Sequence, residues 1–397
     1  MKGMESQAVL VLDADQRSAL AAVRSLGRTG SLKVHAADSG PSSLAGSSRF
    51  CAGHVTIPSP LQSPARYPAA VAEAARAVQA SIVFPMTDAS LMLLAPGGAQ
   101  LADVTVAGPP AAAYEALTDK AQLVCRAKEL GILVPETFVT HNLPEVRSAV
   151  ARVGVPAVLK PARSQVLLDG RIVSTSVRVA RSEHDLDAVA ASPWFGRIPC
   201  LVQQHIAGSG AGVFALCGTR GPIAWFAHCR IREKPPSGGV SVLSESVPVS
   251  PELRRQAERL LTDVGWFGPA MVEFRVDAQG RAWLMEVNGR FWGSLQLAID
   301  CGVDFPWLLY QACTGHDTNG PEQYENGRRL RWLLGDLDHL LLQLRGKGTA
   351  PTVAQKVQAL IAFATALDRR THLEVYRKDD REPFWHELKG WLRGIAG

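Results

Sequence analysis

The chain has 397 residues, of which 47% are apolar and 20% charged; this composition is typical of a soluble globular protein with two or three domains. Lys and Arg number 42 against 37 Asp and Glu. This small, dispersed excess of positive charge does not indicate a surface for nucleic acid, which would need clustered basic residues. Unbroken apolar runs stay well below the length that crosses a bilayer, so we expect no membrane partner.

Cysteine usage and the N-terminus both bear on the compartment. The seven cysteines include no Cys-x-x-Cys pair, and their odd number argues against a closed disulfide framework. Isolated cysteines of this kind usually act as small core residues in a reducing compartment. The first apolar run is interrupted by Asp13 and is too short for the core of a secretion signal. We therefore expect a cytoplasmic protein.

The first hundred residues alternate short apolar runs with amphipathic segments. The predicted elements are strand 8–15, helix 18–30, strand 33–39, helix 64–80 and strand 81–88. This alternation indicates a parallel, Rossmann-like sheet, and we assign the domain to residues 1–108. The first turn lacks the G-x-G-x-x-G pattern that would hold a dinucleotide pyrophosphate.

The rest of the chain is predicted to be α+β, with a helical end. Residues 109–202 begin with helices and continue with strands, among them a half-exposed strand over 171–180. Residues 203–318 contain runs typical of antiparallel hairpins and a helix capped by Ser250. Amphipathic helices separated by the breaker-rich "GKGTAPT" form a C-terminal extension over 319–397.

The segment "RAWLMEVNGRFWGSLQ" carries polar side chains at every second position of a strand. Glu286, Asn288 and Arg290 therefore share one face. The turn signal "DAQG" joins this strand to the preceding run "AMVEFRV". If the turn has a two-residue loop, Glu273 lies directly opposite Glu286 on the same face.

Two directly opposed carboxylates repel each other, so a partner must offset the cost of placing them together. A divalent cation is the natural candidate, because Mg2+ takes carboxylate oxygens and commonly completes its shell with nucleotide phosphates. Glu273, Glu286 and Asn288 are thus the predicted metal ligands. The alternative is a surface hairpin with scattered polar residues, but the flanking apolar runs favour a buried one.

The pair "VEF" and "MEVNGRFWGS" resembles the metal-binding hairpin of the ATP-grasp superfamily. The resemblance implies that the two acids and Asn288 hold Mg2+ (or Mn2+) against the ATP phosphates. It also implies that Arg290 assists catalysis at the transferring phosphoryl group. The superfamily usually has Pro between the Asn and the Arg, whereas this sequence has Gly289.

Other motifs of the superfamily follow in the expected order. The resemblance assigns nucleotide contacts to Lys120 in "TDKAQ" and to Lys160 in "VPAVLKPARSQ", with Ser164 near the phosphates where a glycine-rich flap is usual. "LVQQHIAG" resembles the hinge that reads adenine, and its candidate residues are Gln203, Gln204, His205 and Ile206. The carboxylate that commonly holds the ribose is not evident in the sequence.

Substrate contacts are expected after the hinge. Arg230 and Arg232 are predicted to share a strand face; Arg230 is a candidate for binding a substrate carboxylate and Arg232 for stabilising the transferring group. Ser294 is a further candidate for holding that carboxylate. An exposed basic hairpin is the alternative for the two arginines. In "GDLDHLL", Asp336 and His339 fit a solvated helix face better than a second metal site.

The resemblance implies an ATP-grasp fold, made of a Rossmann-like domain, two lobes and the C-terminal extension. It implies a ligase that joins a carboxylate, by family habit an amino acid or peptide, to an amine through an acyl phosphate, releasing ADP and phosphate. The alternatives are phosphorylation of bicarbonate or another carboxylate, and a nucleotide-binding protein without catalysis. The extension is a candidate for covering the site, for a homodimer contact or for recruiting a partner.

Overall fold

Three principal β-sheets follow one another along the chain in the computed structural model, which describes residues 7–95, 101, 103–236, 238–346 and 351–396. The first sheet belongs to the N-terminal domain, and the other two belong to the α+β region. No helix within these ranges is long and apolar enough to cross a membrane.

The N-terminal domain is a sheet of five parallel strands with helices, as the alternating pattern predicts. Its elements are β1 (Gln7–Val11), α1 (Arg17–Arg28), β2 (Leu32–Asp38), β3 (Gly53–Thr56), α2 (Tyr67–Ala77), β4 (Ala80–Phe84), α3 (Asp88–Leu94) and β5 (Thr105–Val106). The strand order is β3-β2-β1-β4-β5. The first strand ends before the predicted residue 15, because Asp13 adopts a left-handed backbone with φ 53°.

Two short helices link this domain to the second sheet. They are α4 (Ala111–Thr118) and α5 (Lys120–Glu129). Asp119 caps α5, because its Oδ1 accepts hydrogen bonds from the backbone N–H groups of the first turn. Leu117 and Leu123 pack into the core of the third sheet, so both helices lie on the larger lobe.

The second sheet forms a small lobe. Its antiparallel strands are β6 (Thr137–Thr140), β7 (Ala157–Pro161), β10 (Arg178–Ala180) and β11 (Cys200–Gln204), ordered β10-β7-β11-β6 and covered by α6 (Leu143–Val153) and α7 (Glu183–Ala190). Between β7 and β10 lies a separate hairpin of β8 (Gln165–Leu168) and β9 (Arg171–Ser174). The single strand predicted over 171–180 is therefore wrong, since its two ends join different sheets.

The third sheet forms the larger lobe and has seven strands. Its strands are β12 (Ser209–Gly218), β13 (Gly221–Lys234), β14 (Val240–Ser246), β15 (Gly268–Val276), β16 (Ala282–Asn288), β17 (Arg329–Arg331) and β18 (Thr371–Leu373). The helices are α8 (Pro251–Asp263), α9 (Leu295–Asp300), α10 (Phe305–Cys313), α11 (Leu333–Arg345), α12 (Val353–Thr365) and α13 (Glu382–Ala396). The strand order is β16-β15-β12-β13-β14-β17-β18.

The C-terminal extension is helical, as expected, but it also supplies β17 and β18 to the edge of this sheet. Beyond β18 it packs against α1 of the N-terminal domain. Arg24 on α1 is completely buried and its Nε donates to Asp380 Oδ2 at 2.8 Å, while its other nitrogens donate to backbone carbonyls within 374–380. Asp380 also accepts from the Ser48 hydroxyl and the Arg49 N–H. Every charge at this contact is paired, which is what burial of charge requires.

We predict that Asp380→Ala lowers the free energy of unfolding by about 3–5 kcal/mol, because it leaves the Arg24 guanidinium buried without its carboxylate. Chemical denaturation followed by tryptophan fluorescence measures the change. Asp379→Ala is the matched control: its ion pair with Arg28 is exposed, and we expect a loss below about 1 kcal/mol. Equal losses in the two variants would contradict the prediction.

Glu387 on α13 provides a pH-dependent contribution to stability. Its Oε1 accepts a hydrogen bond from Trp332 Nε1 at 2.6 Å, and burial raises its pKa to about 7. Between pH 4.5 and about 7 the folded protein therefore keeps this proton, whereas the unfolded chain releases it. The contribution of Glu387 to the free energy of unfolding falls as the pH rises through this range. We predict that Glu387→Gln raises the melting temperature relative to wild type more at pH 8 than at pH 5. A difference independent of pH would refute this assignment.

Candidate nucleotide and metal site

The hairpin of β15 and β16 places Glu273 directly opposite Glu286, as predicted. The register arises differently from the expected two-residue loop. Asp277 and Arg281 close a three-residue loop, in which Gly280 adopts φ 78°. This loop shifts the pairing by one residue, and a β-bulge at Met285 shifts it back before Glu286 is reached.

Asn288 joins the two carboxylates on the same face of the sheet. Its Nδ2 lies 3.3 Å from an oxygen of Glu273 and 3.3 Å from an oxygen of Glu286. Arg230 on β13 approaches from the other side, with Nη2 3.4 Å from Glu273 Oε1. The predicted metal ligands and one predicted substrate residue are therefore brought together.

The two predicted phosphate-binding lysines lie beside this cluster, Lys120 at the start of α5 and Lys160 in β7 of the small lobe. Lys120 Nζ lies 3.9 Å from Glu286 Oε2 and donates to the Ser164 hydroxyl at 2.9 Å. Lys160 is 8% exposed and, among the described residues, has no carboxylate within ion-pair distance. Burial lowers the pKa of the Lys160 ammonium, and the nearby Glu286 offsets this only in part. An added anion such as a phosphate would stabilise both ammonium groups.

The electrostatics of the carboxylate pair favour a bound cation. Burial, and after it the charge of Glu286, raises the pKa of Glu273, while Arg230 and Arg290 lower it. Two carboxylates and an amide suit a hard cation such as Mg2+, which usually also binds phosphate oxygens and water. In the described ranges no group of three His, Cys, Asp or Glu side chains is arranged to hold a metal, and the set here has two carboxylates and one amide. The residues therefore fit a metal that arrives with a nucleotide.

Arg290 is held by a residue that the sequence analysis missed. Its Nε donates to Asp88 Oδ2 at 2.9 Å, and Asp88 is the first residue of α3 in the N-terminal domain. Asp88 is also the main cause of the raised pKa of Arg290, to which Glu286 and Glu273 add. The signal was available, because Asp88 follows the parallel strand β4, and ligands commonly bind beyond the carboxyl ends of such strands.

Packing accounts for Gly289 at the position where Pro is usual. A Cβ atom there would lie 2.9 Å from the Trp266 indole and 3.4 Å from the Tyr114 ring. The distance to Trp266 is shorter than ordinary contacts between such atoms, and Tyr114 is already in contact. The bulky aromatic neighbours in this chain thus require glycine, and they do not displace Asn288 or Arg290.

At the predicted hinge, some groups already have hydrogen-bond partners within the protein and others are free to bind a ligand. Gln203 is buried and its Nε2 donates to Thr137 Oγ1 at 3.0 Å, while the Gln204 N–H donates to the Glu136 carbonyl. His205 and Ile206 follow the end of β11 and form no backbone hydrogen bond within the described ranges. Their N–H and C=O groups remain available for an adenine edge.

The β8–β9 hairpin occupies the place of the usual glycine-rich flap. Its tight turn uses Asp169 at φ 49° and Gly170 at φ 75°, which is the pattern of an Asp-Gly hairpin turn. The Ile172 N–H donates to the Leu61 carbonyl at 3.0 Å, so the hairpin also contacts the N-terminal domain.

The expectation that Arg230 and Arg232 share a face is wrong. Irregularities in the β13–β14 pairing place Arg230 opposite Ser244 and Arg232 opposite Leu243. Ser244 and Leu243 are successive residues of β14 and point to opposite faces, so Arg230 and Arg232 do not follow the simple alternation, although both side chains line one cleft. Arg232 instead donates from Nη1 to the Ala362 carbonyl at 3.1 Å and lies beside Asp336.

Ser294 is buried, and its hydroxyl lies 2.9 Å from His228 Nε2. Burial lowers the pKa of His228 to about 3, so the imidazole is neutral at physiological pH. The sequence analysis did not identify His228. Its ring stacks on Phe214 at 4.6 Å between centroids, which gives the pair Ser294 and His228 a rigid support.

The solvated face expected for Asp336 and His339 is also wrong. Asp336 is fully buried and accepts from Arg331 Nε at 2.7 Å. His339 is 6% exposed and its Nδ1 lies 2.6 Å from the Glu233 carbonyl oxygen. Both side chains project from α11, and they connect this helix to β13 and β17.

Residues 199–335 match a family model described as ATP-grasp in the biosynthetic pathway with Ter operon. No curated protein sequence is significantly similar to the chain. The match begins just before β11 and includes the hinge, the carboxylate hairpin and β17.

Solved structures with a similar fold cover most of the chain at low sequence identity. Biotin carboxylase from Campylobacter jejuni, in complex with β,γ-ATP, has a TM-score of 0.63 and 17% identity over 83% of this chain and 75% of its own. N5-carboxyaminoimidazole synthetase from Staphylococcus aureus has a TM-score of 0.63 and 13% identity over 97% and 96%. A 2-oxoglutarate carboxylase domain from Hydrogenobacter thermophilus, with MgADP and bicarbonate, has a TM-score of 0.60 and 15% identity over 81% and 73%.

The fold of this chain is similar to the folds of these three structures. The family match covers the metal hairpin, and the similar structures cover the whole architecture. Residues 199–335 thus match an ATP-grasp family model, and the fold of the chain is similar to those of biotin carboxylase and N5-carboxyaminoimidazole synthetase.

Proposed function

We propose that the protein is an ATP-dependent ligase that phosphorylates a carboxylate and joins the resulting acyl group to an amine. The observation that carries the proposal is the convergence of Glu273, Glu286 and Asn288 with Lys120 and Lys160. The carboxylates for a divalent cation lie on the larger lobe, and the cations for phosphates come from the linking helix α5 and from the small lobe. Such a set positions a nucleoside triphosphate and neutralises its charge.

In this proposal ATP lies between the lobes. Its adenine is read by the backbone of His205 and Ile206, next to Gln203 and Gln204, and its phosphates contact Lys120, Lys160 and Ser164. Glu273, Glu286 and Asn288 hold Mg2+ or Mn2+, which supplies charge neutralisation at the β- and γ-phosphates when bound. Similar structures in complex with β,γ-ATP or MgADP support this assignment.

The chemistry is a displacement at phosphorus followed by one at carbon. A carboxylate oxygen of the substrate attacks the γ-phosphorus and ADP leaves, which forms an acyl phosphate. The amine then attacks the acyl carbon, phosphate leaves, and the amine proton passes to solvent. Arg290 stabilises the charge on the transferring group, and Arg230 lies where it can orient the carboxylate. These side chains position and neutralise, so no covalent enzyme intermediate is needed.

A second candidate reaction is the phosphorylation of bicarbonate. Biotin carboxylase and a bicarbonate-bound carboxylase domain are among the structures with a similar fold, and both have the same lobe arrangement. A nucleotide-binding protein without catalysis is a third candidate. The intact set of Glu286, Asn288 and Arg290 argues against it, because a mere binding site would not need the arginine at the γ-phosphate.

We predict that ADP release requires Mg2+ and a carboxylate substrate, and that Glu286→Gln lowers kcat by about 100- to 1,000-fold, because it removes a ligand from the charge-neutralising cation. Coupled measurement of ADP with pooled amino acids and short peptides tests this. Glu258→Gln, on the exposed side of α8, is the control and should retain full activity. Full activity of Glu286→Gln would overturn the metal assignment. Release that depends on bicarbonate alone would favour the second candidate, and ATP binding without any release would favour the third.

We predict that Asp88→Asn lowers kcat about tenfold while the KM for ATP stays within twofold, because the role proposed for Asp88 is to position Arg290 through their 2.9 Å hydrogen bond. Steady-state kinetics separate the two constants. Glu73→Gln on α2 is the matched control in the same domain. An increase in the ATP KM with unchanged kcat would show that Asp88 acts in nucleotide binding instead.

A further inference from the structure

A second cleft opens beside the carboxylate pair, between β13 and helices α11 and α12. Its volume is about 900 Å3. Arg230 belongs to both places, because its side chain lines the cleft and its Nη2 lies 3.4 Å from Glu273 Oε1. A molecule that fills the cleft therefore has one end beside the site proposed for phosphoryl transfer.

One wall of this cleft carries positive charge that the described residues do not neutralise. Arg232 lines the cleft and lies 3.0 Å from Asp336 Oδ2, but Arg331 binds the same oxygen at 2.7 Å. Two guanidinium groups thus share one carboxylate. Within the described ranges, Arg232 Nε and Arg331 Nη1 have no hydrogen-bond partner. A buried excess charge of this kind is costly unless an anion pairs with it.

Glu233 also lines the cleft and accepts from Arg230 Nη1 at 3.1 Å, and His339 lies beside it, whereas the other polar side chains of the lining are amides and one hydroxyl. Thr352, Gln355 and Gln358 project from α12, and Gln343 projects from α11. Amide side chains can both donate and accept, so they suit the N–H and C=O groups of an amino acid or a peptide bond. The lining therefore combines one anion-binding point with several groups for a polar, uncharged chain.

The volume also restricts the class of substrate. About 900 Å3 lies near the upper end of the usual range for small-molecule sites. Bicarbonate would occupy only a small part of this space and would leave Arg232 unpaired. An organic acid that extends from Arg230 to Arg232 would occupy both points.

We infer that the cleft binds the carboxylate substrate, and that this substrate is an acidic amino acid or short peptide with two carboxylates. The carboxylate that is phosphorylated lies at Arg230, and the second binds Arg232. This inference rests on the proposed ligase function. It also gives the C-terminal extension a role, because α11 and α12 form the opposite wall.

The test compares glutamate, aspartate and dipeptides that contain them with their singly amidated counterparts. Calorimetric binding to protein loaded with Mg2+ and a non-hydrolysable ATP analogue is measured alongside ADP release with ATP. We expect at least one dicarboxylate to bind and turn over, and its amidated counterpart to have a KM about 10- to 100-fold higher. No binding of any dicarboxylate, or equal KM values for both forms, would overturn the inference.

Arg232→Gln should raise the KM of the dicarboxylate about 10- to 100-fold while its effect on the amidated form stays below about threefold. Gln358→Glu leaves Arg232 and its partners unchanged, so it does not disturb the buried charges. We expect it to raise the KM of the dicarboxylate at least about threefold by like-charge repulsion. Val357→Glu adds the same charge on the same helix but outside the cleft lining. It should change the KM of neither the dicarboxylate nor its amidated form.

The outcomes separate this inference from the proposed function. Turnover of monocarboxylates that is insensitive to Arg232→Gln and Gln358→Glu would refute the dicarboxylate inference and leave the ligase intact. ADP release driven by bicarbonate alone would refute both. Dicarboxylate binding that is lost in Gln358→Glu, without ADP release in wild type, would retain the cleft assignment and refute the ligase.

Discussion

The candidate site depends on two like charges, those of Glu273 and Glu286, held opposite each other in an antiparallel hairpin. Such a pair is unfavourable in isolation, so the surrounding chain must supply positive charge. Arg230 comes from the same sheet, Lys120 from the linking helix and Lys160 from the small lobe. Negative and positive side chains thus meet between the lobes, and a metal ion bound to a polyphosphate would pair with both.

Much of this could be predicted from the sequence, because local patterns determine it. Alternation placed Glu286 and Asn288 on one face, and the turn signal placed Glu273 opposite them. The register nevertheless depends on a three-residue loop and a compensating bulge at Met285, which no propensity predicts. Glu273 lies opposite Glu286 as predicted, but the loop has three residues instead of the two that were expected.

Failures of prediction occurred where distant segments meet. Arg230 and Arg232 do not follow the simple alternation because the β13–β14 pairing is irregular, and Asp336 is buried because β17 brings Arg331 beside it. Asp88 supports Arg290 across 202 positions of sequence. Gly289 is explained only by the aromatic rings above it. Such contacts depend on tertiary packing, whose partners are not encoded within a window of a few residues.

The contact between Arg24 and Asp380 also constrains the order in which the protein can fold. The two residues are 356 positions apart, and a chain grows from its N-terminus during synthesis. The first domain can form its parallel sheet early, but α1 keeps an unpaired guanidinium until nearly the whole chain has emerged. Closing so long a loop is slow compared with local helix formation. Until then the face of α1 that carries Arg24 lacks its native partner and is exposed.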